Sequence, residues 1–121
     1  RGVKGADSDL TVAVRPNEHA TRLQAARFLH QIGRSGEAVD LALEGVRRAP
    51  GSGEAATVLG LALYAVGDIE GALRWMLKAE SLHKSPPERA QVRTMLGRMK
   101  QEAPDSLRGL FPPDSMLGIR R

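Results

Sequence analysis

Three histidines, His19, His30 and His83, are the side chains of this 121-residue sequence most suited to proton or metal chemistry near neutral pH. Their spacing argues against both roles. Imidazoles that share a metal ion sit a turn apart on one element or converge with nearby carboxylates. These three are scattered along the chain, and no carboxylate set accompanies them at ligand spacing. There is no cysteine, so disulfides and thiolate metal sites are excluded. No arrangement of serine, histidine and aspartate suggests a nucleophile with its base. The glycines at 33, 51, 53 and 67 follow no strand and read as turn residues, not as a phosphate cradle. Trp75, the single tryptophan, falls in a helical stretch and reads as a packing or convex-surface residue. No catalytic residue, metal or cofactor is expected. Binding is the function class that remains.

The elements that carry these residues repeat at a spacing of 34. That shift takes Pro16 to Pro50, Ala26 to Gly60, Leu29 to Leu63 and Gly33 to Gly67. It also takes Ala38 to Ala72, Val39 to Leu73 and Leu43 to Leu77. Each match keeps the residue or exchanges it for one of similar size or character. A period in this range marks stacked supersecondary units, an architecture of binding scaffolds.

Composition narrows the class further. Hydrophobic residues make up 41% of the chain but aromatics only 3%, so the core must be aliphatic and alanine-rich, as close helix packing needs. No apolar run reaches the length of a membrane span, and nothing at the amino end resembles a signal peptide. The net charge of +4 reflects mainly the two ends, where Arg1, Lys4, Arg108, Arg120 and Arg121 lie. Arginine outnumbers lysine 14 to 4, a bias that suits a GC-rich bacterial genome and leaves a cytoplasmic and a periplasmic location equally open. The start at Arg1, with a first repeat entered in mid-pattern, reads as a fragment of a longer protein.

Helix signals place the units. In the first, helix A runs from about Glu18 to Gln31, with Leu23, Ala25, Ala26, Phe28, Leu29 and Ile32 facing inward. Gly33 ends it, and helix B follows from about Ser35 to Arg48 with Ala38, Val39, Ala42, Leu43 and Val46 inward. In the second unit, helix A covers about Glu54 to Val66 and helix B about Ile69 to Leu82, the latter capped by Asp68. Ser85-Pro86-Pro87-Glu88 opens a fifth helix whose stripe is Val92, Met95, Leu96, Met99 and Ala103. That stripe matches the earlier A helices only if the loop before it is about two positions longer. Residues 1–17 read as an extended arm or as the remnant of a preceding repeat. Beyond Pro104, Leu107, Leu110 and Phe111 are placed to dock on the last helix, and residues 112–121 read as extended or mobile.

These residues carry a family resemblance. Leu59-Gly60-x-x-Leu63-Tyr64-x-x-Gly67-Asp68-x-x-x-Ala72, followed by Ala79, is similar to the tetratricopeptide repeat signature. Ala25-Ala26-x-x-Leu29-x-x-x-Gly33-x-x-x-x-Ala38, then Gly45 and Pro50, resembles it more loosely and departs from it at Arg22, where the family has a large apolar residue. The resemblance implies an all-α fold: a short α-solenoid of two tetratricopeptide-type helix-turn-helix repeats and a C-terminal capping helix. Repeat 1 would cover about 18–51, repeat 2 about 52–85 and the capping helix about 86–103, with 104–121 as an extension.

The resemblance also implies a concave groove lined by the A helices. Its family positions fall on Leu23, Arg27, His30 and Gln31 in the first unit, and on Glu54, Thr57, Leu61, Tyr64 and Ala65 in the second. The capping helix adds Arg93 or Lys100. Such a surface suits an extended or helical peptide with apolar anchors and an acidic group. The Asn and Lys pairs with which some relatives grip a chaperone's terminal carboxylate are absent from these positions. The implied function is a non-catalytic adaptor for a protein or peptide partner. The alternative is an accessory, substrate-positioning domain of a larger enzyme or cell-envelope assembly factor. Nucleic acid is the weaker candidate partner, because cations and carboxylates interleave and only Tyr64 is placed for stacking. Two repeats are few for stability, so the missing support would come from residues 1–17, from the C-terminal segment, or from self-association through an exposed end face, which keeps a homodimer open.

Overall fold

The computed structural model describes residues 16–119 of the chain. The stretch before Pro16, read as part of an arm or repeat remnant, lies outside the described residues. Among the described residues six α-helices follow one another: α1 Pro16–Gln31, α2 Ser35–Arg48, α3 Gly53–Ala65, α4 Ile69–Leu82, α5 Pro86–Glu102 and α6 Asp105–Arg108. A 3-10 turn, Asp114–Leu117, comes last, and there is no strand among the described residues. Each of the first five helices packs on its neighbour in sequence, α1 also meets α3, and the 3-10 turn packs on α5.

The sequence period is written in the backbone as well as in the side chains. Gly33 and Gly67 take φ values of 86° and 93°, a left-handed conformation that lets the chain reverse out of a helix. At the first reversal Ile32 N–H donates to Phe28 O, Gly33 N–H to His30 O and Arg34 N–H to Leu29 O. The same three bonds recur one period on, from Val66 to Ala62, Gly67 to Tyr64 and Asp68 to Leu63. The fold is thus all-helical and repeat-like. Side-chain caps then start the next elements: Ser52 Oγ accepts from Ala55 N–H, Asp68 Oδ1 from Gly71 N–H, and Ser85 Oγ from Glu88 N–H.

Small residues set how closely the helices approach. A Cβ on Gly60 would lie 3.3 Å from the Ala72 carbonyl oxygen and 2.7 Å from the Met76 sulfur. Ala26, Ala38 and Ala72 are fully buried at the other expected crossing positions. The core forms two clusters, one around Leu23, Val58 and Leu59 and the other around Leu73, Met76, Val92 and Leu96. Trp75 packs against both of them.

Four expectations need correction. Helix α1 starts at Pro16, not Glu18, because proline fits the first helical position, where its missing N–H costs nothing. On α1 only Leu23 and Ala26 are buried, while Ala25 is exposed and Phe28 and Ile32 are 59% and 48% exposed. The reason is positional. The counterparts of Ala25 and Phe28 one period on, Leu59 and Ala62, lie on α3 with α2 packed against it, whereas no described element precedes α1. Leu43 of α2 is likewise exposed.

The register of α5 differs from the expected one. The connection before it, residues 83–85, is shorter than residues 49–52 before α3, so the capping Ser85 falls one position short of a full period from the capping Ser52. The extra length is in the helix, 17 residues against 13, and lies at its C-terminal end, since both helices start directly after their capping serines. Finally, residues 112–119 are not extended. Phe111 and Leu117 are buried in the second cluster, and Lys100 Nζ holds Pro112 O and Asp114 Oδ1, each at 2.7 Å. Leu107 is half-buried and Leu110 exposed.

Candidate functional site

A cleft of about 280 Å³ opens between alternate helices. Helix α1 contributes Arg27, and α3 contributes Glu54, Thr57 and Leu61. His83 enters from the α4–α5 connection, and α5 supplies Glu88, Gln91, Val92 and Met95. Val92 is buried, Leu61 and Met95 are half-buried, and Arg27, Glu54, Glu88 and Gln91 are exposed. The result is an apolar floor with a polar rim. Helical spacing explains the α5 set: positions 88, 91, 92 and 95 fall on one face.

Polar contacts fix this rim. Arg27 Nη1 and Glu54 Oε2 form an ion pair at 2.7 Å, joining α1 to α3. Thr57 Oγ1 donates to Gly53 O at 2.8 Å and lies 3.1 Å from His83 Nε2. The imidazole lies against Gly53, where a Cβ would come within 2.9 Å of the ring. Its Nδ1 is 3.6 Å from Glu88 Oε1. Ser85 Oγ donates to that same carboxylate oxygen at 2.9 Å. Arg89 Nη1 donates to the carbonyls of His83 and Lys84, which pins the turn that presents the imidazole. Further along α3, Tyr64 donates its hydroxyl to Glu102 of α5 at 2.5 Å. Burial, and then the bond and charge of Glu102, push the Tyr64 phenol up to about 12.

Of the residues singled out in the sequence, Arg27, Glu54, Thr57 and Leu61 converge in the cleft. Tyr64 stands one turn beyond Leu61 and bridges to α5 without lining the cleft. Leu23 is not a surface residue: it is 0% exposed in the first core cluster, so no partner can reach it. His30 is half-buried beside Ser35 Oγ at 3.4 Å and Gln31 is exposed at the end of α1, both outside the cleft lining. Arg93 points away, because it stands two positions from Met95 on a helix that turns about 100° per residue. It pairs with Glu80 of α4 at 2.9 Å. Lys100 is held by the C-terminal segment.

Sequence spacing missed His83, Glu88, Gln91, Val92 and Met95 as cleft residues. His83 and His19, far apart in sequence, both reach the first turns of α3, where His19 Nε2 lies 2.9 Å from Ser52 Oγ. Among the described residues no three His, Cys, Asp or Glu side chains group as metal ligands would. A second concavity, about 460 Å³, lies on the outer side of α1 and α2 between Thr21, Arg22, Ala25 and Leu41. Arg22, the departure from the repeat pattern, is half-buried there with Nη1 enclosed and without a hydrogen-bond partner. Compared with known proteins, the chain matches no family model, no curated protein and no solved structure.

Proposed function

We propose that this chain is a non-catalytic interaction module, a short tetratricopeptide-like α-solenoid that holds a segment of a partner protein between α1, α3 and α5. The observation that carries the reading is the cleft itself: an apolar floor of Leu61, Val92 and Met95 under an exposed polar rim, assembled from alternate helices. Grooves of this composition take peptide side chains as anchors and use the rim for orientation. At about 280 Å³ the space suits one or two side chains of a longer segment rather than a whole small-molecule ligand. The matching reversals at Gly33 and Gly67 support two units of one kind, with α5 and the C-terminal segment closing the stack. No described helix is long and apolar enough to cross a membrane.

The test uses Gln91→Trp, which fills the cleft from an exposed position and spares the core. Wild type and variant, matched for helicity and melting temperature, are used to capture proteins from a bacterial lysate. A protein retained by wild type and lost by the variant supports the reading. Equal retention by both places binding on another surface.

A further inference from the structure

With its imidazole neutral, the cleft holds two hydrogen-bond acceptors side by side with no donor shared between them. Thr57 Oγ1 gives its one proton to Gly53 O at 2.8 Å. Its 3.1 Å contact with His83 Nε2 must therefore be supplied from the imidazole. In the neutral ring this puts the proton on Nε2 and leaves a lone pair on Nδ1. That lone pair lies 3.6 Å from Glu88 Oε1. Ser85 Oγ already donates to the carboxylate oxygen, but it offers Nδ1 nothing. Two acceptors so placed repel each other until a donor reaches both.

We propose that this donor is the cationic end of a lysine or arginine side chain of the partner segment. The inference rests on the reading of the cleft as a partner-binding groove. The methylene stem of such a residue would lie along Leu61, Val92 and Met95, as long basic side chains do on apolar surface, with the charge at Glu88 and His83.

The charges that line the cleft support a cation. From α3 and α1 come Glu54 and Arg27, which neutralise each other at 2.7 Å. From the connection and α5 come Lys84, Glu88 and Arg89, and the Arg89 guanidinium is turned onto the carbonyls of residues 83 and 84. Glu88 is then the charge left to a ligand in the cleft lining. The acidic partner group suggested by Arg27 and Arg93 has neither cation at its disposal, since Glu54 holds one and Glu80 the other.

The experiment is a selection from random displayed peptides on wild-type protein, with Gln91→Trp used to discard peptides that bind elsewhere. The expected peptides carry Lys or Arg beside Leu, Ile or Met. Synthetic copies should lose about tenfold in affinity when that basic residue becomes norleucine, and about tenfold against Glu88→Lys. Peptides rich in Asp or Glu, or indifferent to charge, that are still lost with Gln91→Trp overturn this inference and leave the groove reading standing. If no peptide distinguishes wild type from Gln91→Trp, both fall.

Discussion

Gly53 and His83, distant in sequence, touch in the fold: a Cβ on Gly53 would sit 2.9 Å from the imidazole Cγ. The contact joins the first turn of α3 to the end of α4 and keeps the ring at Thr57. Gly53→Ala is expected to force the ring out at an overpacking cost of about 1–3 kcal/mol in urea unfolding. Gly51→Ala, on the connection just before α3 and with nothing within 4 Å, should stay within about 0.5 kcal/mol of wild type. Equal effects at the two sites would deny the contact any weight.

The two reversals make a paired prediction. Gly33 and Gly67 have open space around them, so alanine there meets no neighbour and suffers only the left-handed backbone. Each substitution should cost about 1–2 kcal/mol. The two reversals share no hydrogen-bond partner, so the double variant should show the sum. A clear loss at one site and none at the other would mean that the reversals are not equivalent.

Tyr64 gives a pH signature, and as the only tyrosine it can be followed by absorbance alone. Its folded-state value is raised from 10.0 to about 12, by burial first and by Glu102 second. The neutral phenol is the form favoured by folding. Its contribution to stability is therefore complete below pH 10 and is lost as pH rises through about 12. Tyr64→Phe should remove that slope from the stability curve. Glu102→Gln should leave part of the shift, since burial persists. A phenol that titrates at its ordinary value would refute the bridge from α3 to α5.

Lys100 predicts how the C-terminal segment is held. Its ammonium meets Pro112 O and Asp114 Oδ1, and both side chains of the ion pair are largely buried. Lys100→Met should lower stability by about 2 kcal/mol, as loss of hydrogen bonds to a charged group does. It should also speed proteolysis near residue 112. Unchanged cleavage would show that Phe111 and Leu117 suffice to seat the segment.

Helix boundaries were legible in the sequence wherever a local signal marks them. The predicted limits of α2, Ser35 to Arg48, and of α4, Ile69 to Leu82, coincide with the observed ones, because a glycine reversal precedes each and the apolar period runs throughout. Burial was less legible on α1. The apolar face of Ala25, Phe28 and Ile32 has the right period, but period alone does not say whether an element covers it. The site divides in the same way. Arg27, Glu54, Thr57 and Leu61 come from helices whose phase the repeat reveals, whereas His83 and Glu88 depend on how the chain turns from α4 into α5. That turn is shorter than the repeat predicts, and proton bookkeeping around Thr57 has no one-dimensional trace.

Among the described residues no element covers the outer flank of α1, and there the helical stack can be extended. At the far end Phe111 and Leu117 occupy the surface on which another pair of helices would have to sit, and adding a unit there means evicting them. On the α1 side Ala25, Phe28 and Leu41 already offer an apolar bed. A duplicate of residues 18–51 spliced ahead of Pro16 should find a seat without disturbing the existing core. Lengthening of this protein, by gene duplication or by design, should therefore proceed from its amino-terminal side.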